Sequence, residues 1–147
     1  MGDVLVIGYG NTLRGDDGIG PAVAEAVAAR GLPGVRVRVV QQLTPELAAE
    51  LAEVRRVVFA DAAVGGGAVR AVRLDATGAG GVMTHTADPR GLLALTRAVY
   101  GREPEAWLVT AAGADFGFRD GLSPTGRANA GAAAERIGQI IGEATGA

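Results

Sequence analysis

The amino-acid sequence predicts an α/β protein, a three-layer α/β/α sandwich built on a mostly parallel sheet of five strands. Two observations predict this class. Strand-like and helix-like segments alternate along the whole chain, and two of the strand-like segments are continuously apolar, as buried parallel strands are. The chain has 147 residues, enough for one continuous core, so we expect a single domain over residues 1–147.

Five segments have strand character. The first and third are apolar runs, and the third ends on an aspartate. The second alternates arginine with valine, which is typical of an edge strand with one exposed face. The fourth also alternates, and the fifth is short and apolar. The predicted strands are 3–8, 35–40, 55–61, 68–74 and 106–112.

Four segments have the start and stop signals of helices. Proline is favoured in the first turn of a helix and glycine just after its end. Thr44 is predicted to cap the second helix with Pro45 at its first position, and Ser123 to cap the last helix ahead of Pro124. The predicted helices are 20–31, 44–54, 89–101 and 123–143.

The composition excludes several kinds of chemistry. The chain has no cysteine and no lysine, one histidine, His85, and one serine, Ser123. Cysteine nucleophiles, disulfides, thiolate metal sites and lysine Schiff bases are therefore excluded. A net charge of −2 argues against a nucleic-acid partner, and no apolar run is long enough to insert in a membrane. We expect a cytoplasmic monomer.

Three side chains are candidates for a functional site. In a parallel α/β sheet, ligands bind beyond the carboxyl ends of the strands. Asp17 lies in the glycine-rich loop after the first strand, Asp61 ends the third strand, and His85 precedes a helix. Two carboxylates and one imidazole are suitable ligands for a divalent metal. We expect Asp17 to face the cleft and its neighbour Asp16 to brace the turn.

Two other interpretations of these residues are disfavoured. The first loop has Gly8 and Gly10 of a dinucleotide fingerprint but Leu13 in place of the third glycine, and its aspartates would repel a pyrophosphate. A catalytic triad of Ser123, His85 and Asp61 is disfavoured because Ser123 fits a helix cap and lies in no nucleophile elbow.

Several motifs resemble those of the hydrogenase maturation endopeptidases, which process the large subunit of nickel–iron hydrogenases. The first is VIGYGNTLRGDDGIGPAVAEAV, residues 6–27, and the second is VVFADAA, residues 57–63. HTADPRGLLALTRAVYG, AWLVTAA and GLSPTGRANAGAAAERI follow in the family's order. The resemblance covers nearly the whole chain.

The resemblance implies a five-stranded fold with one antiparallel strand, here 68–74. It implies that Asp17, Asp61 and His85 contact a metal, with Asp17 and Asp61 as the catalytic carboxylates. The metal that the resemblance implies is nickel, which the hydrogenase precursor would mainly carry, although other divalent metals could substitute. The activity implied is removal of a C-terminal extension after nickel insertion.

Residues around these carboxylates are expected to support them. Gly8 and Gly10 let the backbone turn sharply after the first strand, and Asn11 and Asp16 support the same loop. Because the residues present offer no good covalent nucleophile, we expect water to attack the peptide bond, activated by a carboxylate or by the metal.

Two questions stay open at this point. The same three side chains would also serve a non-catalytic, metal-sensing chaperone that docks on a hydrogenase subunit without cutting it. The segment 113–121, which follows the last strand, is either a loop that grips the substrate or an ordinary surface loop.

Overall fold

The structure of the chain, a computed structural model, describes residues 3–65, 67–75 and 88–145. It contains five strands: β1 Val4–Tyr9, β2 Val35–Val40, β3 Arg56–Val64, β4 Val69–Leu74 and β5 Glu105–Gly113. It contains four α-helices: α1 Ile19–Ala29, α2 Leu47–Leu51, α3 Pro89–Tyr100 and α4 Pro124–Thr145. A short 3₁₀ turn, Gly15–Gly18, connects the first loop to α1.

The strands form one sheet in the order β2-β1-β3-β5-β4. β1, β2, β3 and β5 are parallel, and β4 runs antiparallel to β5. The predicted mixed sheet and its antiparallel fourth strand are therefore confirmed, as is the edge position of β2. From β1 the chain crosses to β2 on one side and later to β3 on the other, so the topological switch point lies between β1 and β3.

Helices cover both faces of the sheet. One face packs against α1 and α4 through a core that includes Val6, Val58 and Val109 of the sheet and Val23 and Ile137 of the helices. The opposite face packs against α2 and α3. That second core includes Ile7, Phe59, Leu51, Leu92 and Leu93. Alternate residues of β1 and β3 enter opposite cores, as the two-residue period of a strand requires. The three-layer sandwich follows.

Close packing of α1 on β1 requires glycine on both elements. A Cβ atom on Gly8 would collide with the carbonyl oxygen of Gly20, and a Cβ atom on Gly20 would collide with the carbonyl oxygens of Tyr9 and Ala60. The first turn of α1 therefore lies directly against the ends of β1 and β3.

Two predicted boundaries are wrong. β3 continues three residues past Asp61 to Val64, because it pairs with β5 along its whole length. α2 is shorter than predicted, and Thr44 does not cap it. The chain from Thr44 enters α2 through turns in which Leu47 N–H donates to the Thr44 carbonyl oxygen, at 3.1 Å.

No helix in the described part of the chain is long and apolar enough to cross a membrane.

Candidate active site

The candidate active site lies where β1 and β3 separate. The ladder between these strands ends at the pair Gly8–Ala60. Tyr9 and Asp61 are the next residues on each strand, and β3 remains paired with β5 beyond this point, with Asp61 opposite Thr110. Asp61 therefore does not end its strand. It is the first residue of β3 that has no partner on β1, at the switch point of the sheet.

Asp17 is brought to the same edge by the glycine-rich loop. Gly10 has a φ of 151°, and a Cβ atom there would collide with the Asp17 carbonyl oxygen. This close approach lets the Asn11 N–H donate a 2.7 Å hydrogen bond to Oδ2 of Asp17. The Asn11 side chain accepts from Leu13 N–H at 2.9 Å, which stabilises the turn. Asp17 remains partly exposed.

The carboxyl group of Asp61 has a perturbed proton affinity. Burial raises its pKa above the usual range, and the negative charge of Asp17 raises it further. Hydrogen bonding to the Ala62 N–H and to Tyr9 acts in the opposite direction but does not cancel the effect. A buried carboxyl group with a raised pKa beside a second carboxylate is a typical arrangement for acid–base chemistry.

Tyr9 was not identified from the sequence. Its ring packs on the core beneath α2 and α3, and its hydroxyl group interacts with Asp61. Burial, followed by the charge of Asp61, raises the pKa of Tyr9, so that its hydroxyl keeps its proton. Only the register between β1 and β3 could have indicated it, because Tyr9 and Asp61 each follow a residue of the last β1–β3 pair.

Asp16 occupies a different environment from Asp17. Its side chain is fully buried. Its Oδ2 accepts from Ala114 N–H at 2.7 Å, from Asp115 N–H at 3.1 Å and from the Ser123 hydroxyl at 2.6 Å. Its Oδ1 accepts from Ser123 N–H at 2.8 Å. Asp16 therefore joins the first loop to the segment between β5 and α4.

These donors set the charge state of Asp16. Burial alone would raise its pKa, but the Ser123 hydroxyl and the three backbone N–H groups outweigh burial and lower the pKa to about 2. A Cβ atom on Gly113 would lie 2.6 Å from the Asp16 Cβ, and one on Gly126 would collide with its carboxylate. The site is therefore shaped closely around an ionised aspartate.

Ser123 is engaged with Asp16 and with the start of α4. Its hydroxyl oxygen accepts from Gly126 N–H at 2.9 Å, which is the pattern of a helix N-cap. The predicted cap of the last helix is confirmed. The hydroxyl donates to Asp16, so its proton is not offered to a histidine base as a triad would need.

The segment 113–121 pairs with the first loop. Gly15 N–H donates to the Arg119 carbonyl at 2.9 Å, and Arg119 N–H donates to the Leu13 carbonyl at 3.1 Å. The Phe118 side chain is 86% exposed, with the Arg14 guanidinium 4.9 Å from its ring centroid. An exposed aromatic ring therefore stands on the same edge of the sheet as the carboxylates.

His85 lies outside the described residues, so the predicted set of three metal ligands stays a prediction. Among residues 3–65, 67–75 and 88–145, no group of three or more His, Cys, Asp or Glu side chains is placed to hold a metal ion.

The fold and the site define a class: a doubly wound α/β protein with two interacting carboxylates at its switch point. Solved structures with this fold include the hydrogenase maturating endopeptidase HybD of E. coli, at 23% identity over 98% of this chain and 94% of that chain, with a TM-score of 0.78. The NiFe hydrogenase maturation protease HycI of Thermococcus kodakarensis has 25% identity over 94% of this chain and 91% of that chain, with a TM-score of 0.72.

A third similar structure is the hydrogenase 2 maturation peptidase of a Thaumarchaeota archaeon, at 25% identity over 95% of this chain and 97% of that chain, with a TM-score of 0.71. The resemblance to hydrogenase maturation endopeptidases that the motifs indicated is confirmed by these structures. No protein-family model and no curated protein sequence matches the chain.

Proposed function

We propose that this chain is an endopeptidase that removes a C-terminal extension from the precursor of a nickel–iron hydrogenase large subunit after nickel has been inserted. The observation that carries the proposal is the pair Asp17 and Asp61. Their charges interact at the switch-point crevice, in a fold shared with solved hydrogenase maturation proteases.

In this proposal nickel arrives as part of the precursor. Asp17, Asp61 and His85 would contact it through carboxylate oxygens and an imidazole nitrogen, which are ligands that divalent transition metals accept. Without a cysteine in the chain, these contacts would be weaker than those of a thiolate site in the precursor. The enzyme would thereby sense that nickel is present without removing it.

Asp61 is the proposed general base. A carboxyl group with a raised pKa is a better proton acceptor than an ordinary aspartate, and burial raises the pKa of Asp61. A water molecule would transfer a proton to Asp61 as its oxygen attacks the scissile carbonyl carbon. The same proton would then pass to the leaving amine nitrogen as the peptide C–N bond breaks. Asp17, held by the Asn11 N–H, would orient the substrate metal or the water.

The proposal includes an aspartic or metal-assisted type of peptidase, acting in the cytoplasm as a monomer on a protein substrate. Both types use water as the nucleophile, so neither forms a covalent intermediate with the chain.

The test is cleavage of a purified large-subunit precursor from the same organism, followed by intact-mass measurement. Nickel-loaded and nickel-free precursors are compared, each with the wild type, with Asp61→Asn and with Glu135→Gln. Glu135 is an exposed carboxylate on α4, outside the candidate site, so its substitution controls for the loss of one negative charge.

We expect the wild type and Glu135→Gln to shorten only the nickel-loaded precursor at its C-terminus, and Asp61→Asn to leave it intact. Binding of the precursor without shortening would replace the proposal with a metal-sensing chaperone. Equal cutting by Asp61→Asn and the wild type would remove Asp61 from the reaction.

A further inference from the structure

The outer edge of β2 presents backbone groups that face away from β1, beside the candidate active site. The Gly10 N–H donates to the Val40 carbonyl at 3.2 Å, and Val40 pairs with Tyr9. Since alternate residues of a parallel strand bond to the same neighbour, the N–H and C=O groups of Val37 and Val39 face away from β1. Within the described residues, no hydrogen bond to these outward groups is found.

Among the residues that the structure describes, no side chain closes this edge. Arg36 and Arg38 turn to α2, where both contact Glu50, at 3.3 Å and 2.7 Å. The Val39 side chain is 46% exposed. Edge strands are usually protected by charges, proline or a covering element, because their free backbone groups can bind another strand. The carboxyl half of β2 lacks this protection in the described part of the chain.

A groove continues from this edge to the first loop. Its volume is about 260 Å³. Every residue that lines it is uncharged, and half of them are apolar. The lining residues are Gly10, Asn11, Thr12, Leu13, Pro21, Val39, Val40 and Gln41. The groove is thus suited to an uncharged side chain of moderate size.

The groove is also joined to the candidate catalytic carboxylates. Asn11 lines it, and the N–H of the same residue donates to Asp17 at 2.7 Å. A peptide lying in the groove would therefore have its next residues at the edge where Asp17 and Asp61 stand.

We propose that the outer edge of β2 at Val37 and Val39 binds an extended segment of the substrate as an additional strand. The groove would take an uncharged side chain of that segment next to the scissile bond. This inference rests on the proposed endopeptidase function. An endopeptidase must hold its substrate extended across the cut bond, and a free strand edge supplies the backbone donors and acceptors that do so.

The protein variants for the test are proline substitutions at the two edges of the sheet. Val39→Pro removes an outward N–H, at an edge position where proline is tolerated. Ala71→Pro is the matched control on the other edge strand. Ala68 and Ala112 form a hydrogen-bonded pair, so in the antiparallel register of β4 and β5 the Ala71 N–H also faces outward.

The probe is a fluorescent synthetic peptide that covers the precursor's C-terminal extension and the residues before it, with binding followed by fluorescence anisotropy. We expect Val39→Pro to bind it roughly tenfold more weakly than the wild type, since about one or two backbone hydrogen bonds are lost. Ala71→Pro should bind like the wild type. Equal binding by all three proteins, or no binding by the wild type, would overturn the inference.

A second measurement leaves the protein unchanged. The peptide is N-methylated at one backbone position at a time, which removes one N–H donor in each version. Pairing with β2 predicts that affinity falls at alternate positions only, because alternate residues face the strand. A uniform effect along the peptide would overturn the inference even if Val39→Pro binds weakly.

Cleavage of the full precursor is scored separately with the same proteins. Cutting by the wild type with no effect of Val39→Pro on peptide binding would keep the endopeptidase and reject the β2 site. Selective loss of binding in Val39→Pro, in a protein that never cuts the precursor, would keep the β2 site and reject the endopeptidase.

Discussion

Two adjacent aspartates in the first loop lie in different environments, one in the protein interior and the other at the candidate active site. Asp16 is fully buried and accepts from the Ser123 hydroxyl and three backbone N–H groups. Asp17 is partly exposed and accepts from one backbone N–H. Its charge acts on Asp61, whose pKa is raised, whereas the pKa of Asp16 is lowered to about 2.

The difference in burial and in the number of hydrogen-bond donors distinguishes a structural carboxylate from a reactive one. A carboxylate with a full set of donors is stable as an anion and has no remaining lone pair for a substrate. A carboxylate at a crevice with few donors and a like charge nearby retains both its basicity and its access to ligands. Replacing the carboxylate by an amide should therefore have different results at the two positions. It should mainly lower stability at Asp16 and mainly remove activity at Asp61.

The largest expected effect is the loss of activity in Asp61→Asn. The amide occupies the same volume but accepts no proton, so precursor processing should fall by at least about 100-fold. The thermal midpoint should equal or exceed that of the wild type, since the burial of a charged group is relieved. Processing rates and melting curves measured on one preparation would check both. A large fall in melting temperature would move Asp61 into the structural class.

Asp16→Asn should mainly reduce stability. In either orientation, the amide places its NH₂ group against at least one backbone N–H donor, from Ser123 or from Ala114 and Asp115. We expect a loss of about 3 kcal/mol, equivalent to a fall of about 10 °C in the melting midpoint. Urea unfolding would measure it. A change below about 0.5 kcal/mol would contradict the bracing role.

The pH dependence of stability should separate the two aspartates. Because the folded pKa of Asp16, about 2, is below the value of 3.8 for an unperturbed aspartate, its contribution to stability is present above about pH 4 and is lost as the pH falls through about 2. The stability gap between the wild type and Asp16→Asn should therefore narrow on acidification. Unfolding measured between about pH 5 and pH 2 would test this.

The pH dependence of the stability that Asp61 contributes should have the opposite sign. A raised folded pKa favours the folded state while the carboxyl is protonated, and this contribution is lost as the pH rises through the folded pKa. Asp61→Asn should thus gain stability relative to the wild type as the pH rises from acidic values towards neutral. The stability difference between Asp61→Asn and the wild type should therefore change with pH in the opposite direction from the difference for Asp16→Asn. A change in the same direction would contradict the raised pKa of Asp61.

The smallest effect is expected from Tyr9→Phe. The ring and its packing are kept, and only the hydroxyl that interacts with Asp61 is lost. We expect processing to slow by about tenfold with little change in stability. Tyr100→Phe is a matched control, because Tyr100 is exposed at the end of α3. Equal processing rates for Tyr9→Phe and the wild type would show that the Tyr9 hydroxyl has no part in the reaction and that the ring contributes only to packing.

Sequence patterns predicted the strands, their layers and the edge position of β2, because these depend on periodicity and turn residues. The end of β3 was predicted too early, since apolarity stops at Asp61 while pairing with β5 continues to Val64. Thr44 was wrongly predicted as a cap because local propensity did not include the turns that precede α2.

The site was predictable only in part. The rule that ligands bind beyond the carboxyl ends of parallel strands indicated Asp17 and Asp61. The position of Tyr9 beside Asp61 depends instead on the register between two strands that are distant in sequence. The bonds between Asp16 and Ser123 span 107 residues, and no local pattern indicates a contact of that kind. The role of His85 stays a prediction, as does the set of metal contacts.

The different roles of the two aspartates are tested by comparing Asp16→Asn with Asp61→Asn in one processing assay on the nickel-loaded precursor, at a temperature where circular dichroism shows both to be folded. We expect Asp16→Asn to cut the precursor within about tenfold of the wild-type rate and Asp61→Asn not to cut it. Equal rates for the two variants, or a faster Asp61→Asn, would contradict the assignment of one aspartate to structure and the other to catalysis.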